Sequence, residues 1–328
     1  MSHLCHDFNK QGEFLEIYRM GLIVPTLNAG ELWPAWLEAV SQQTYPIYRK
    51  LVVDSSSDDN TVALAVAQGF ETITIARKDF NHGGTRQMAA EYLADCDFLV
   101  FLTQDALLAT VDSLVNLLAP FSDPSIAISY GRQLPHKNAG AIAAHARLFN
   151  YPAMSAIKSK KDIPQLGIKT TFCSDSFACY RRSDLLAIGG FKSDLILGED
   201  AHVAARLILA DKKIAYVAEA QVYHSHDYSV TQDFKRYFDI GVFHAQEVAI
   251  FSQFGSASGE GVRFVKSELR YVYQKHQFLL VLSVIVRTFA KYIGYKLGRY
   301  ERWLPTYVKR MLSMHRMYWQ SNHLHGGH

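Results

Sequence analysis

Five short groups of residues in this chain combine side chains that can bind or transfer something. Thr103-Gln104-Asp105 follows directly on the apolar run Phe98–Leu102. A carboxylate at the carboxyl edge of a strand can hold a hard divalent cation, which can in turn neutralise a phosphate-type leaving group. An aspartate there is also an ordinary turn residue. Asp54 ends a second apolar run and leads into Ser55-Ser56-Ser57-Asp58-Asp59. It is placed to accept a base N–H or a ribose hydroxyl, while Asp58 or Asp59 suits the cap of the next helix. His82-Gly83-Gly84-Thr85-Arg86 opens a helical pattern, where glycines let backbone amides approach an anion and Arg86 adds a charge that suits phosphate. Its glycine spacing is not the dinucleotide fingerprint, and a tight turn with a surface arginine is the plainer reading. Gly198-Glu199-Asp200 puts two carboxylates at a helix start. They complement the helix dipole, and one of them can take a proton from an attacking hydroxyl. His224-Ser225-His226 ends a strand-like run, and a neutral imidazole can complete a metal site otherwise made of oxygens. With 14 histidines in the chain, chance clustering competes with that reading. His323, His325 and His328, close to the C-terminus, could bind metal adventitiously.

The elements that must carry these groups alternate. Residues 21–25, 50–54, 72–76 and 98–102 read as short apolar strands, buried on both faces, with helical patterns at 31–42, 60–68 and 85–93 between them. That alternation predicts an α/β fold with a mostly parallel sheet, in which ligands sit beyond the carboxyl ends of the strands. Further strands are expected at 126–131, 171–180 and 213–218. One helix should start near Ser183 as N-cap and stop at Gly189-Gly190, and another should run over 199–210. From Thr231 onward only helices are expected, broken by a Gly/Ser-rich turn at 255–261.

Composition narrows the class. With 328 residues, 49% of them hydrophobic and 20% charged, the chain has enough apolar material for one large domain plus an accessory segment, which excludes disorder. The net charge of +3 is too small to name a partner. Cys5, Cys96, Cys173 and Cys179 show neither a disulfide framework nor paired zinc spacing, so reduced thiols in a cytoplasmic protein are expected. The first 19 residues lack the apolar stretch of a secretory signal, and the longest apolar run, 278–286, is too short to span a bilayer.

The order of the motifs is more specific than any one of them. Leu22-Ile-Val-Pro25-Thr26-Leu27-Asn28, then Asp54-Ser-Ser-Ser-Asp58, Gly84-Thr85-Arg86, Leu102-Thr-Gln-Asp105, Ala178-Cys-Tyr180-Arg181-Arg182, Ile188-Gly-Gly-Phe191, Gly198-Glu-Asp200 and the histidine strand resemble, over about residues 20–230, the inverting glycosyltransferase family two. The resemblance implies a Rossmann-like catalytic domain of GT-A fold. Donor contacts would come from Pro25, Thr26, Asn28, Asp54, Arg86 and Gln104, with Asp54 on the nucleobase. Asp105 and His224 would hold Mg²⁺ or Mn²⁺, His224 being preferred to His226, and Asp200 would be the base. Asp175, Glu199 and His226 are acceptor-side candidates. Thr103 replaces the first aspartate of the usual Asp-X-Asp motif. The Thr-Gln-Asp variant, with Phe80-Asn-His-Gly and Phe172-Cys-Ser-Asp175-Ser, is similar to the branch that transfers L-rhamnose from dTDP-L-rhamnose.

Arg263–Arg316 carries twelve basic residues against Glu268 and Glu301, interleaved with aromatics. Arg287 and Lys291 lie one helical turn apart, while Ile285, Phe289, Ile293 and Leu297 share another face. This is the pattern of a basic amphipathic helix on an anionic bilayer, and equally of a helix packed on the catalytic domain with a solvated rim. The organisation expected is therefore a 1–19 extension, a 20–230 catalytic domain and a 231–328 helical segment. That segment would dock on the inner face of the cell membrane and bring the enzyme to a lipid-linked saccharide acceptor in surface-polysaccharide (O-antigen-like) synthesis. Oligomers are compatible with it, and no nucleic-acid motif accompanies the basic residues. UDP- or GDP-sugar donors, a nucleotidyltransferase and a catalytically inactive membrane scaffold are the rival readings. The nucleotidyltransferase lacks its Gly-rich basic loop here, because Pro25-Thr-Leu-Asn28 stands in that place.

Overall fold

The computed structural model describes residues 6–8, 14–16, 18–255 and 259–321. The histidines at 323, 325 and 328, Cys5, and part of the 255–261 turn lie outside them.

The apolar runs pair into a nine-stranded sheet. Glu71–Thr74, Arg49–Asp54, Met20–Thr26 and Phe98–Leu102 lie side by side in that order, all parallel. Phe177–Arg181 follows antiparallel, then Ile126–Leu134 and, parallel to it, Lys213–Tyr223. The sheet is thus mixed rather than mostly parallel. The strand order reverses between Met20–Thr26 and Phe98–Leu102, which makes the carboxyl ends of those two strands the switch point where ligands bind in open α/β sheets. A short strand, Leu107–Leu108, pairs antiparallel with Val222 and Tyr223. That pairing folds the chain after Asp105 back toward His224.

Strand 98–102 is buried throughout and strand 213–223 at most of its positions, as their Val/Leu/Phe and Val/Ala content requires. Helix Trp33–Ser41, with Trp33 and Trp36 stacked at 4.6 Å, covers one face. Helices His82–Tyr92 and Glu199–Leu209 cover the other. Helix Arg182–Ala187 has its N-cap at Arg181, two residues before the expected Ser183, and Arg181 makes no side-chain cap. Gly189 and Gly190 close it at φ 83° and 70°, a conformation that costs glycine little. Helix Ala141–Asn150, which the sequence reading missed, lies beside strand 126–134. Cys96, Cys173 and Cys179 are free thiols in the core.

After Tyr223 the described chain is helical. Val230–Gln246 and Leu280–Arg299 cross at very short range: a Cβ on Gly298 would sit 2.0 Å from the Phe238 carbonyl oxygen, and one on Gly294 would sit 2.3 Å from that of Phe234. Phe238, Val242, Phe243, Phe251, Phe254 and Trp319 join the same core as the sheet. The helical segment is therefore built onto the core of the sheet. Its end returns as a strap: the Met314 N–H donates to buried Asp239 at 2.9 Å, and the His315 ring meets His82 edge-on at 5.2 Å. No helix among the described residues is long and apolar enough to cross a membrane.

Candidate active site

The switch-point crevice is closed at its floor by Gln104. Its amide accepts from the Leu27 N–H at 2.8 Å and donates to the Leu27 carbonyl at 3.1 Å, tying the loop after strand 20–26 to the loop that carries Asp105. Gln104 thus positions a loop, rather than standing free for a donor as the sequence suggests. Asp54 is buried and accepts from Thr26 Oγ1 at 2.8 Å and from Ser57 N–H and Oγ at 2.8 and 2.6 Å. Asn28, at φ 45°, donates to Ser57 Oγ and accepts from the Asp58 N–H, both at 2.8 Å. Pro25, Thr26, Asn28 and Asp54 therefore share one rigid lip of the crevice. Asp59 does the local work expected of that cluster, accepting from the Thr61 N–H at 3.0 Å.

Asp105, His224 and His226 converge so that one ligand atom from each lies within 4.8 Å of the others. Asp105 Oδ2 is 3.4 Å from His224 Nε2 and 3.6 Å from His226 Nε2. Both histidines thus belong to the cluster, so His226 lies with the metal candidates rather than on a separate acceptor side. The residue that orients His224 was not legible in the sequence. Gln133, buried on strand 126–134, receives an Arg147 guanidinium N–H and faces His224 Nδ1 at 2.9 Å through the same oxygen. Arginine can only donate, so that atom is the amide oxygen and His224 Nδ1 must carry the proton. Nε2 then faces an Asp105 carboxylate oxygen across a gap that a shared proton or a metal ion can bridge, and a carboxylate with two imidazoles suits a divalent ion such as Mn²⁺. Burial pushes His226 down to about 4, which leaves it a neutral, ligand-ready imidazole. Although burial works to raise Asp105, His224 outweighs it and holds the carboxyl well below the usual range.

Asp200 lies at the start of helix 199–209, half-buried, with Oδ1 accepting from the Ala201 N–H at 2.7 Å and Oδ2 from the Asp175 N–H at 3.3 Å. Beside it Arg86 is an interior residue, its side chain 5% exposed, in ion pairs of 3.0 Å with Asp175 and with Glu199. That placement corrects two expectations. Arg86 is not an exposed phosphate clamp, and Asp175 and Glu199 are too deeply buried to meet an acceptor. The glycines before Arg86 do not cradle an anion either. A Cβ on Gly83 would lie 1.9 Å from the Lys192 carbonyl oxygen, and the Gly84 N–H donates to Asn81, the helix's own cap.

Three carboxylates around one arginine cannot all ionise cheaply. Burial and the neighbouring carboxylates push Asp175 up to about 8, against the pull of Arg86, and it accepts from Tyr180 Oη at 2.5 Å. Burial works to raise Glu199, but Arg86 and His82 hold it low. Asp200, which alone of the three reaches solvent, is pushed up to about 6 by burial and by Glu199. A partly open carboxylate with that proton affinity is suited to take a proton near neutral pH.

A crevice at a switch point, an Asp/His/His cluster on one side of it and a poised carboxylate on the other define a nucleotide-dependent group-transfer enzyme on an α/β sheet. Comparison with known proteins narrows the class. The model of glycosyl transferase family 2 matches residues 22–189, and the chain belongs to that family; it is a glycosyltransferase. It is 49% identical over 304 residues to the O-antigen chain rhamnosyltransferase RfbN of Salmonella typhimurium, covering 92% of this chain and 96% of that one. To the O-antigen chain rhamnosyltransferase WbaN of Salmonella anatum it is 48% identical over 301 residues, covering 92% and 95%. Among solved structures, the mannosyltransferase PcManGT of Pyrobaculum calidifontis, in complex with GDP-Man and Mn²⁺, superposes with a TM-score of 0.55 at 15% identity, covering 95% of this chain and 88% of that one. This likeness carries the GT-A fold.

Proposed function

We propose that the enzyme transfers L-rhamnose from dTDP-L-rhamnose, with inversion, to a hydroxyl of a lipid-linked saccharide during O-antigen-like polysaccharide synthesis. The observation that carries the proposal is the 49% identity to a named O-antigen rhamnosyltransferase across nearly the whole chain, reaching both the Thr103-Gln104-Asp105 loop and the Glu199-Asp200 helix. The nucleotide lies along the lip formed by Pro25, Thr26, Asn28 and Asp54. Asp105, His224 and His226 would hold Mg²⁺ or Mn²⁺, and a divalent cation there supplies positive charge opposite the donor diphosphate. Asp200 accepts the proton of the acceptor hydroxyl as its oxygen bonds to the anomeric carbon and the bond from that carbon to the diphosphate breaks, releasing dTDP. Arg86 acts from behind, keeping Glu199 ionised and Asp200 in place.

The outer face of helix 280–299 supports peripheral membrane attachment. Leu279 is 95% exposed, Leu282 69% and Phe289 67%, and Ile285, Val286 and Tyr292 extend the stripe. Exposed Lys296, Arg299, Arg302 and Arg310 continue from it, with Trp303 and Tyr307 at interfacial positions. Arg287 and Lys291, first read as the membrane-facing cations, turn inward to Asp233 instead. The occupant of this face is the anionic cytoplasmic leaflet, bound by apolar insertion flanked by charge. A donor panel under single-turnover conditions tests the assignment: dTDP-L-rhamnose should be consumed fastest. Faster use of UDP-glucose, UDP-galactose or GDP-mannose would refute the sugar and leave the family standing.

A further inference from the structure

Next to the metal-type cluster, and sharing His226 with it, lies a cavity of about 160 Å³ that the transfer mechanism does not use. Helix 141–150 contributes Ile142, Ala143 and Ala146 to its lining. Three cations line it, Arg147, Arg287 and Lys291, against two carboxylates, Asp227 and Asp233. Asp227 is already engaged by the Gly140 N–H at 3.1 and 3.2 Å. Asp233 is shared between Arg287 at 2.6 Å and Lys291 at 3.8 Å. The cations of the lining thus outnumber its carboxylates by one. The cations are also ordered in advance: Arg287 donates to the Tyr228 carbonyl at 2.6 Å as well as to Asp233, and Arg147 is held by Gln133. Lys291 is 17% exposed and lies 5.6 Å from the Phe264 ring centre. Ordered, partly desolvated cations lose little entropy on taking an anion, which is how phosphate sites gain strength.

We propose that this cavity is a subsite for a phosphate or diphosphate group carried by the acceptor, separate from the donor's own diphosphate. The inference rests on the reading that the donor occupies the Asp54–Asp105 crevice. Two placements favour the acceptor. The cavity is lined by His226 and by none of the lip residues Pro25, Thr26, Asn28 and Asp54. Arg287 and Lys291 sit on the inner face of the helix whose outer face carries the exposed Leu279–Tyr292 stripe, so a phosphate in the cavity and an apolar chain on the stripe are one helix width apart, roughly 10 Å. A polyprenyl phosphate or diphosphate has that division into anionic head and apolar tail.

The test is equilibrium binding to the full chain saturated with dTDP and Mn²⁺, using geranyl diphosphate, inorganic pyrophosphate and geraniol as probes. Both phosphates should bind to the dTDP-filled protein and geraniol should not. Tighter binding of geranyl diphosphate assigns the site to a lipid head, and equal binding assigns it to the phosphate alone. Lys291→Met should weaken either phosphate about tenfold, and Lys291→Arg should restore it. Displacement of both probes by dTDP would overturn the proposal, because the cavity would then be part of the donor's diphosphate site. Unchanged affinity in a folded Lys291→Met protein, or geraniol binding as well as its diphosphate, would overturn it too. Failure of the wild type to bind dTDP with Mn²⁺ would count against the donor reading instead. Pyrophosphate binding is then measured on the unliganded chain, with the same Lys291 variants deciding.

Discussion

Replacing Gln133 with leucine isolates the part of the site that sets the direction of His224 without touching any proposed ligand atom. Gln133 is 1% exposed and accepts the His224 Nδ1 proton at 2.9 Å, while its Nε2 donates to Ser174 Oγ at 3.0 Å. Leucine keeps the bulk and removes the acceptor. Two effects follow, and their sizes differ in kind. Loss of a hydrogen bond that orients a metal-binding histidine typically lowers metal affinity by about 10–100-fold, or roughly 1.4–2.7 kcal/mol. The stranded imidazole N–H costs folding stability of about 1–3 kcal/mol, because a buried donor loses its partner. The assay is titration of Mn²⁺ into the dTDP complex by calorimetry, with rhamnosyl transfer followed over the same metal range. The half-saturating Mn²⁺ concentration should rise by one to two orders of magnitude, with turnover largely recovered at high metal and a lower Tm throughout. If a folded Gln133→Leu protein binds Mn²⁺ as the wild type does, the inferred tautomer and the metal role of His224 both fail. Turnover that stays low at saturating metal would assign Gln133 to the donor rather than to the histidine.

Asp200→Asn should lower turnover by about 10²–10⁴-fold while dTDP binding is kept, and near wild-type turnover would remove Asp200 as the base. In the wild type a carboxyl raised by burial to about 6 is protonated below that pH, so transfer should rise with pH through about 6 and then level off; a flat profile from pH 5 to 8 contradicts the assignment. Gly298→Ala sets two terms against each other: about 1 kcal/mol of helix propensity gained against overpacking of typically 1–3 kcal/mol, with the new methyl 2.0 Å from the Phe238 oxygen. The clash should win, and a raised Tm would show that the helices separate freely. Leu282→Asp together with Phe289→Asp should abolish sedimentation with anionic liposomes at low salt without lowering Tm, and unchanged sedimentation would reassign the stripe to another partner.

What the sequence disclosed followed from how local the cause was. Strand Phe98–Leu102 and the start of helix 199–209 were legible because apolar runs and a glycine before two carboxylates carry their signal within a few residues. The Asp105 and His224 pair was legible through the order of motifs along the chain. Gln133 was not: a single glutamine inside a strand has no pattern of its own, and its partner lies 91 residues away. Arg86 was misread for the same reason. Its chain neighbours are glycines, which suggest an anion loop, whereas its spatial neighbours are Asp175 and Glu199.

The long helix shows a different kind of limit. Periodicity separates Arg287 and Lys291 from Ile285 and Phe289, but it does not say which side faces the protein. The usual rule buries the apolar side, because area removed from water stabilises at roughly 25 cal/mol per Å². Here the buried side is made by Val284, Gly294 and Gly298, and the two glycines add almost no apolar area but admit a neighbouring backbone at very short range. Close contact along Val230–Gln246, together with the Arg287–Asp233 ion pair, outweighs the area rule and turns Leu282, Ile285 and Phe289 to the outside. A helix that leaves Leu282, Ile285 and Phe289 in water while packing its glycines keeps a free energy of association in reserve. The cations near that face would match it to an anionic apolar surface, and on the proposed reading the stripe and the cavity behind it would form one route for the acceptor to the Asp105–Asp200 crevice.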